Sequence, residues 1–149
     1  MISVFMRPGL ALLLILTVVN GWGTASARAS EESKIEGQSI ARAGGGWLGL
    51  KVESGTFRLR FYDANKQPVA PDVPRAVLRW KSNRRIAREV VVLTPGGGPN
   101  LMTSERTVPP PFNFRLTIVL MRASTGDTEA DDAAAETIVV DFRQDPAAG

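Results

Sequence analysis

From Trp47 onward the chain alternates apolar and polar residues with a period of two. In WLGLKV, Leu48, Leu50 and Val52 fall on one side. A tight turn at Glu53-Ser54-Gly55 leads into FRLRFY, where Phe57, Leu59 and Phe61 face one way and Arg58, Arg60 and Tyr62 the other. Successive side chains of a strand point to opposite faces, so this spacing predicts two half-buried strands joined as a hairpin. Residues 63–68 are turn chemistry, and Pro68, Pro71 and Pro74 keep the following stretch extended. A third strand is predicted over Arg75–Lys81 with Ala76, Leu78 and Trp80 inward. Val90 to Leu93 is a β-branched run that predicts a strand covered on both faces, and Leu101–Thr103 is a short further candidate. The clearest alternation is Phe112–Met121, with Phe112, Phe114, Leu116, Ile118 and Leu120 inward. Residues 137–142 complete the set with Ile138, Val140 and Phe142 inward.

About seven short strands with turn signals between them, and no sustained helical period, predict an all-β fold. The expected architecture is an antiparallel immunoglobulin-like β-sandwich of about seven strands over residues 47–143. The exception is ADDAAAE, Ala130 to Glu136, which has the composition for one helical turn. Residues 30–46 have few apolar groups, with two scattered isoleucines, Ile35 and Ile40, and the triple glycine Gly44-Gly45-Gly46, and predict a flexible lead-in. Residues 144–149 read as a disordered tail.

The first 29 residues follow a different pattern. Arg7 precedes an unbroken apolar run from Leu10 to Val19, and small residues at cleavage-site spacing follow in Ala25-Ser26-Ala27 or Ala27-Arg28-Ala29. That order predicts a helical signal peptide, cleaved after Ala27 or Ala29. A spanning helix needs about 20 apolar residues, and this run ends at Asn20-Gly21, so membrane contact is expected only through an uncleaved leader. The remainder, about 120 residues, suffices for one core without metal or disulfide. An exported chain with no cysteine points to a bacterial envelope protein, periplasmic or secreted.

Histidine and cysteine are both absent, which removes the commonest general base, the thiol nucleophile and the usual zinc and copper ligands. No Gly-x-Ser-x-Gly elbow occurs. No catalytic residue, cofactor or metal is therefore expected. Asp127, Glu129 and Asp131 alternate like the first ligands of a calcium loop, but Asp132 replaces the required glycine and Ile138 the closing glutamate. The run Pro95-Gly96-Gly97-Gly98-Pro99 lacks the Gly-Lys-Ser/Thr ending of a phosphate loop and reads as a strand connection. Pro109-Pro110-Pro111 reads as a rigid connector that sets the start of the strand at Phe112.

Charge adds the one functional signal. The formal net charge is +3, yet residues 75–122 hold 9 basic and 2 acidic groups, and residues 123–149 hold 1 basic and 7 acidic. Arg79, Lys81, Arg84, Arg85 and Arg88 lie within ten residues around a turn at Ser82-Asn83, and Arg58, Arg60 and Arg115 are placed to extend one positive face. Such a surface attracts an anionic envelope component or an acidic protein. Nucleic acid is not expected, because the aromatics alternate inward and leave no stacking platform. The expected function is an exported, non-catalytic β-sandwich module of the bacterial cell envelope that contacts such a partner through the basic turn. Two alternatives stand beside it. One is a small carboxylate-dependent hydrolase or lyase using the acidic stretch 127–136, and the other is a structural envelope protein with no specific ligand.

Overall fold

The computed structural model describes residues 34–82, 86–123 and 134–145. The proposed leader, the central acids of the 124–133 stretch and the final four residues lie outside the described residues. Eight antiparallel strands make up the fold: β1 (Gln38–Ala41), β2 (Trp47–Glu53), β3 (Thr56–Tyr62), β4 (Arg75–Lys81), β5 (Arg88–Pro95), β6 (Leu101–Thr103), β7 (Phe112–Met121) and β8 (Ala134–Gln144). They hydrogen-bond in the order β1-β2-β3-β6-β5-β4-β7-β8, and no helix occurs among the described residues. β4, β5 and β6 form a meander, and β7 returns to lie beside β4, which is a Greek-key arrangement.

The sheet curls until its two edges meet, so the molecule is nearly a barrel. β5 makes one bend by changing partner. Its residues 88–93 pair with β4, whereas Thr94 and Pro95 pair with β6. The remaining seam lies between β1–β2 and β8, and two glutamines bridge it. Gln38 Nε2 donates to the Asp141 carbonyl at 2.9 Å, and Gln38 Oε1 accepts from Arg143 N–H at 3.2 Å. Beyond the end of β1, Gln144 Oε1 accepts from Val52 N–H at 2.7 Å, and its Nε2 donates back to the Val52 carbonyl. A side-chain amide thus stands where a strand would otherwise supply a peptide group. Leaving part-buried backbone groups unmet costs about 1–3 kcal/mol. Gln144→Ala is accordingly expected to lower the unfolding free energy by about that amount, read as a shifted urea midpoint at unchanged slope.

The inward alternation holds throughout. Leu48, Leu50, Val52, Phe57, Leu59, Phe61, Leu78, Leu93, Leu116, Ile118 and Phe142 form one buried cluster. Aromatic rings gather at one end of it. Phe57 meets Trp80, Phe142 and Phe114 edge-on at 5.5, 5.9 and 6.3 Å between centroids, and Trp80 stacks on Phe114 at 5.2 Å.

Four expectations change. Within the predicted lead-in, Gln38–Ala41 forms β1 and contributes Ile40 to the core. Its polar flanks hide it, because a four-residue strand needs only one inward side chain. The β5 run is covered on one face only: Val91 and Leu93 are buried, but Val90 and Val92 are 43% and 47% exposed. Ala134 to Glu136 belong to β8 and not to a helical turn, since pairing with β7 overrides the helical preference of alanine. Gln144 is the last residue of β8, so the strand runs into the predicted tail.

Candidate binding surface

Burial of Leu78 and Trp80 forces the intervening residues of β4 outward, so Arg79 and Lys81 stand exposed on the outer sheet face. Arg88, the register partner of Lys81, is exposed at the start of β5. Arg115 of β7 is exposed two positions before Thr117, the register partner of Arg79. Four cations therefore share one end of the outer face of β5-β4-β7. Arg84 and Arg85 lie outside the described residues. Among the described residues no ion pair includes Arg79, Lys81, Arg88 or Arg115. Glu89, next to Arg88, is directed to the other face, and Asp141, opposite Arg115, is the described acid in register on theirs. The rest of this face is β-branched. Val90 and Val92 flank Arg79 and Val77 on β5, and Val119, Val139 and Thr117 continue the face across β7 and β8.

Arg58 and Arg60 do not join this surface, which corrects the expectation of a single positive face. They lie on β3, across the barrel, and each meets a carboxylate. Arg58 pairs with Glu53, and Arg60 Nε lies 3.0 Å from Glu36. Lys51 Nζ bridges the same two acids at 3.2 Å each. Burial pulls the Lys51 pKa down, but the hydrogen bonds to Glu53 and Glu36 outweigh it and hold the amine above its ordinary value. Reciprocally, the Lys51 hydrogen bond holds Glu53 below the usual carboxylate range. A depressed folded pKa stabilises above the unfolded value and is lost as pH falls through the folded one. The cluster should thus cost stability on acidification through the lower carboxylate range, and Glu53→Gln should flatten that limb in thermal unfolding followed against pH.

The acidic stretch does not neutralise the basic turn through any described residue. Met121 and Arg75 are register partners, so the chain leaves β7 at the end of β4 opposite Lys81. Glu136, the one acid of residues 127–136 described, accepts from Arg42 Nε at 3.1 Å and from Ala43 N–H at 2.8 Å. Arg42 also pairs with Asp72 at 3.0 Å. Burial lowers the Arg42 pKa, and the hydrogen bonds of Asp72 and Glu136 more than restore it, so this guanidinium stays above its ordinary value.

The sequence gives no hint of a pocket beside the basic turn. A cavity of about 380 Å³ is lined by Trp80, Phe114, Val108, the three prolines 109–111, Thr107, Ser82, Glu89 and Arg106. Its outer wall is the loop after β6. That loop is pinned by Val108 N–H donating to the Gly55 carbonyl at 2.6 Å and by Ser104 Oγ donating to the Arg106 carbonyl at 3.1 Å. Arg106 Nη2 lies 2.8 Å from Glu89 Oε2, and Nη1 donates to the Val90 carbonyl at 3.2 Å. The prolines do precede β7 as a connector, and they also supply a wall. Arg106 and Glu89 are 17 residues apart, so only the long-range packing of the loop reveals the pair.

No family model matches the chain, and neither curated proteins nor solved structures yield a match.

Proposed function

We propose that the protein is an exported, non-catalytic β domain of the bacterial envelope that holds an anionic partner against the outer face ending in Arg79, Lys81, Arg88 and Arg115. The observation that carries this reading is the exposure of those four cations together, with no ion pair to a described carboxylate. Like charges gathered within a Debye length of about 8–10 Å raise the local potential and recruit anions. The immunoglobulin-like reading of the architecture draws support from strand order. Lettering β2 to β8 as A to G gives the sequence A-B-E-D-C-F-G around the sheet, the ABED and CFG sets of that fold, with β1 added at its edge. Export rests on the leader pattern of residues 1–29. The hydrolase alternative loses its one described acid, since Glu136 is committed to Arg42 and Ala43.

The test is retention of the mature protein on the host's envelope fraction at low salt. Each cation near an anionic surface is worth about 1 kcal/mol, so the Arg79→Glu/Lys81→Glu variant should bind at least about tenfold more weakly. Both positions are exposed, so its thermal midpoint should match that of the unaltered protein. Equal retention of the two proteins would leave the cations as a solvated face and end the proposal.

A further inference from the structure

We propose that the pocket under Pro109-Pro110-Pro111 receives an aromatic side chain, so that the partner of the cationic face is an acidic polypeptide segment bearing an aromatic residue. This rests on the reading above and narrows it. The pocket lies at the same end of the barrel as the cations, since its lining residues Ser82 and Glu89 are the chain neighbours of Lys81 and Arg88. It lies on the inner side of the strands that carry those cations outward, so a partner reaches both by turning over the strand ends. Its apolar lining is built of rings: Trp80 and Phe114, stacked on each other 5.2 Å apart and 22° from parallel, and the pyrrolidine rings of the proline run. A lining of rings favours an aromatic guest, since aromatic groups gain from offset or edge contact beyond the area they bury.

The polar lining points the same way. Glu89 and Arg106 are bonded to each other, so the pocket holds a satisfied pair and not a set of groups waiting for sugar hydroxyls. The Arg106 side chain is 53% exposed, but its charge is paired with Glu89, so it adds no free positive charge to that of the four cations on the outer face. At about 380 Å³ the space lies near the lower end of the range for ligand sites, about 300–1,000 Å³, suited to one ring and its attachment. The charged row is longer than such a ligand. Arg79 and Lys81 are two strand residues apart, about 7 Å, and Arg88 and Arg115 lie on the strands to either side. A chain with carboxylates on both sides of a ring spans both features. A phospholipid headgroup or a sulfated glycan offers charge without a planar apolar ring.

The probe is a pair of blocked peptides, Asp-Glu-Phe-Glu-Asp and the same sequence with Ala for Phe, titrated into mature protein carrying Trp47→Phe. In that background Trp80 is the single indole of the mature chain and reports the pocket by its emission. The Phe peptide should shift Trp80 emission and bind about tenfold tighter than the Ala peptide, as expected for burying one ring. Thr107→Phe, a substitution at an exposed lining position that keeps Trp80 the single indole, should fill the pocket and erase that preference while leaving the Ala peptide unaffected. Arg79→Glu/Lys81→Glu should weaken both peptides alike. Equal affinity for the two peptides would overturn the pocket assignment and leave the cationic face standing. Binding of anionic phosphatidylglycerol vesicles or of heparin with neither peptide bound would overturn the choice of a polypeptide. Envelope retention that is insensitive to the charge reversal would remove the parent reading itself.

Discussion

Phe57→Ala is expected to lower the unfolding free energy by about 3–5 kcal/mol, the usual cost of truncating a buried phenylalanine. Phe57 is fully buried and is the ring that joins the two sides of the barrel. It belongs to β3, whereas its three aromatic neighbours Trp80, Phe114 and Phe142 belong to β4, β7 and β8. Truncation therefore removes three edge-on contacts at once and opens a void that neighbours on paired strands cannot fill. A domain of this size has only about 5–15 kcal/mol in total, so the variant should sit near its unfolding threshold at 37 °C. Phe57→Leu keeps most of the volume and should cost clearly less. Urea denaturation followed by far-ultraviolet circular dichroism distinguishes them. A loss below about 1 kcal/mol for the alanine variant would mean that the ring cluster does not hold the two sides together.

The same substitution bears on the proposed pocket. Trp80 and Phe114 form part of its lining, and Phe57 supports both rings from below. Loss of that support should loosen the wall before it disturbs the cations, which sit on the outer face of the same strands. The expected order is loss of aromatic preference in the peptide titration, with the charge-dependent part retained.

Most of the core was legible because one face of each long strand repeats every second residue. Phe57, Leu59 and Phe61, or Leu116, Ile118 and Leu120, need no structure to be assigned inward. Pairing was less legible, since β3 with β6 and β4 with β7 depend on contacts distant in sequence. Short-range pattern also could not show which face of the valine run in β5 meets solvent, because valine suits either. On the candidate surface, alternation placed Arg58, Arg60 and Arg115 outward alike. It could not tell that Glu53 and Glu36 meet the first two and that Arg115 lies across the barrel. The basic turn was visible as a charge run, whereas its neighbouring pocket arises from a loop folded back onto Gly55, a contact with no local signature.

Gly49→Val is expected to destabilise the protein by about 3 kcal/mol, near the top of the overpacking range. In an ordinary strand the sign would be the reverse, because valine favours the pleated conformation and glycine weakens it. Gly49 faces outward between Leu48 and Leu50, yet it is buried, since residues 35 and 36 cross directly over it. A side chain there meets the Glu36 carbonyl oxygen and, at 2.9 Å, Ile35 Cγ2, with the Tyr62 ring 3.1 Å away. Two of the obstacles are the main chain and a β-branched methyl, which cannot swing aside. The crossing segment would have to lift, breaking the 3.2 Å hydrogen bond from Glu36 N–H to Tyr62 Oη and the Glu36 pairs with Lys51 and Arg60. Because Lys34 to Gly37 lead directly into β1, lifting them also strains the Gln38 bridge to β8. The variant should therefore show earlier amide exchange along β1 and at Arg143 than elsewhere in β8. A stabilised Gly49→Val protein would mean that the N-terminal segment does not pack over β2, and the barrel would lose one of the two contacts that close it.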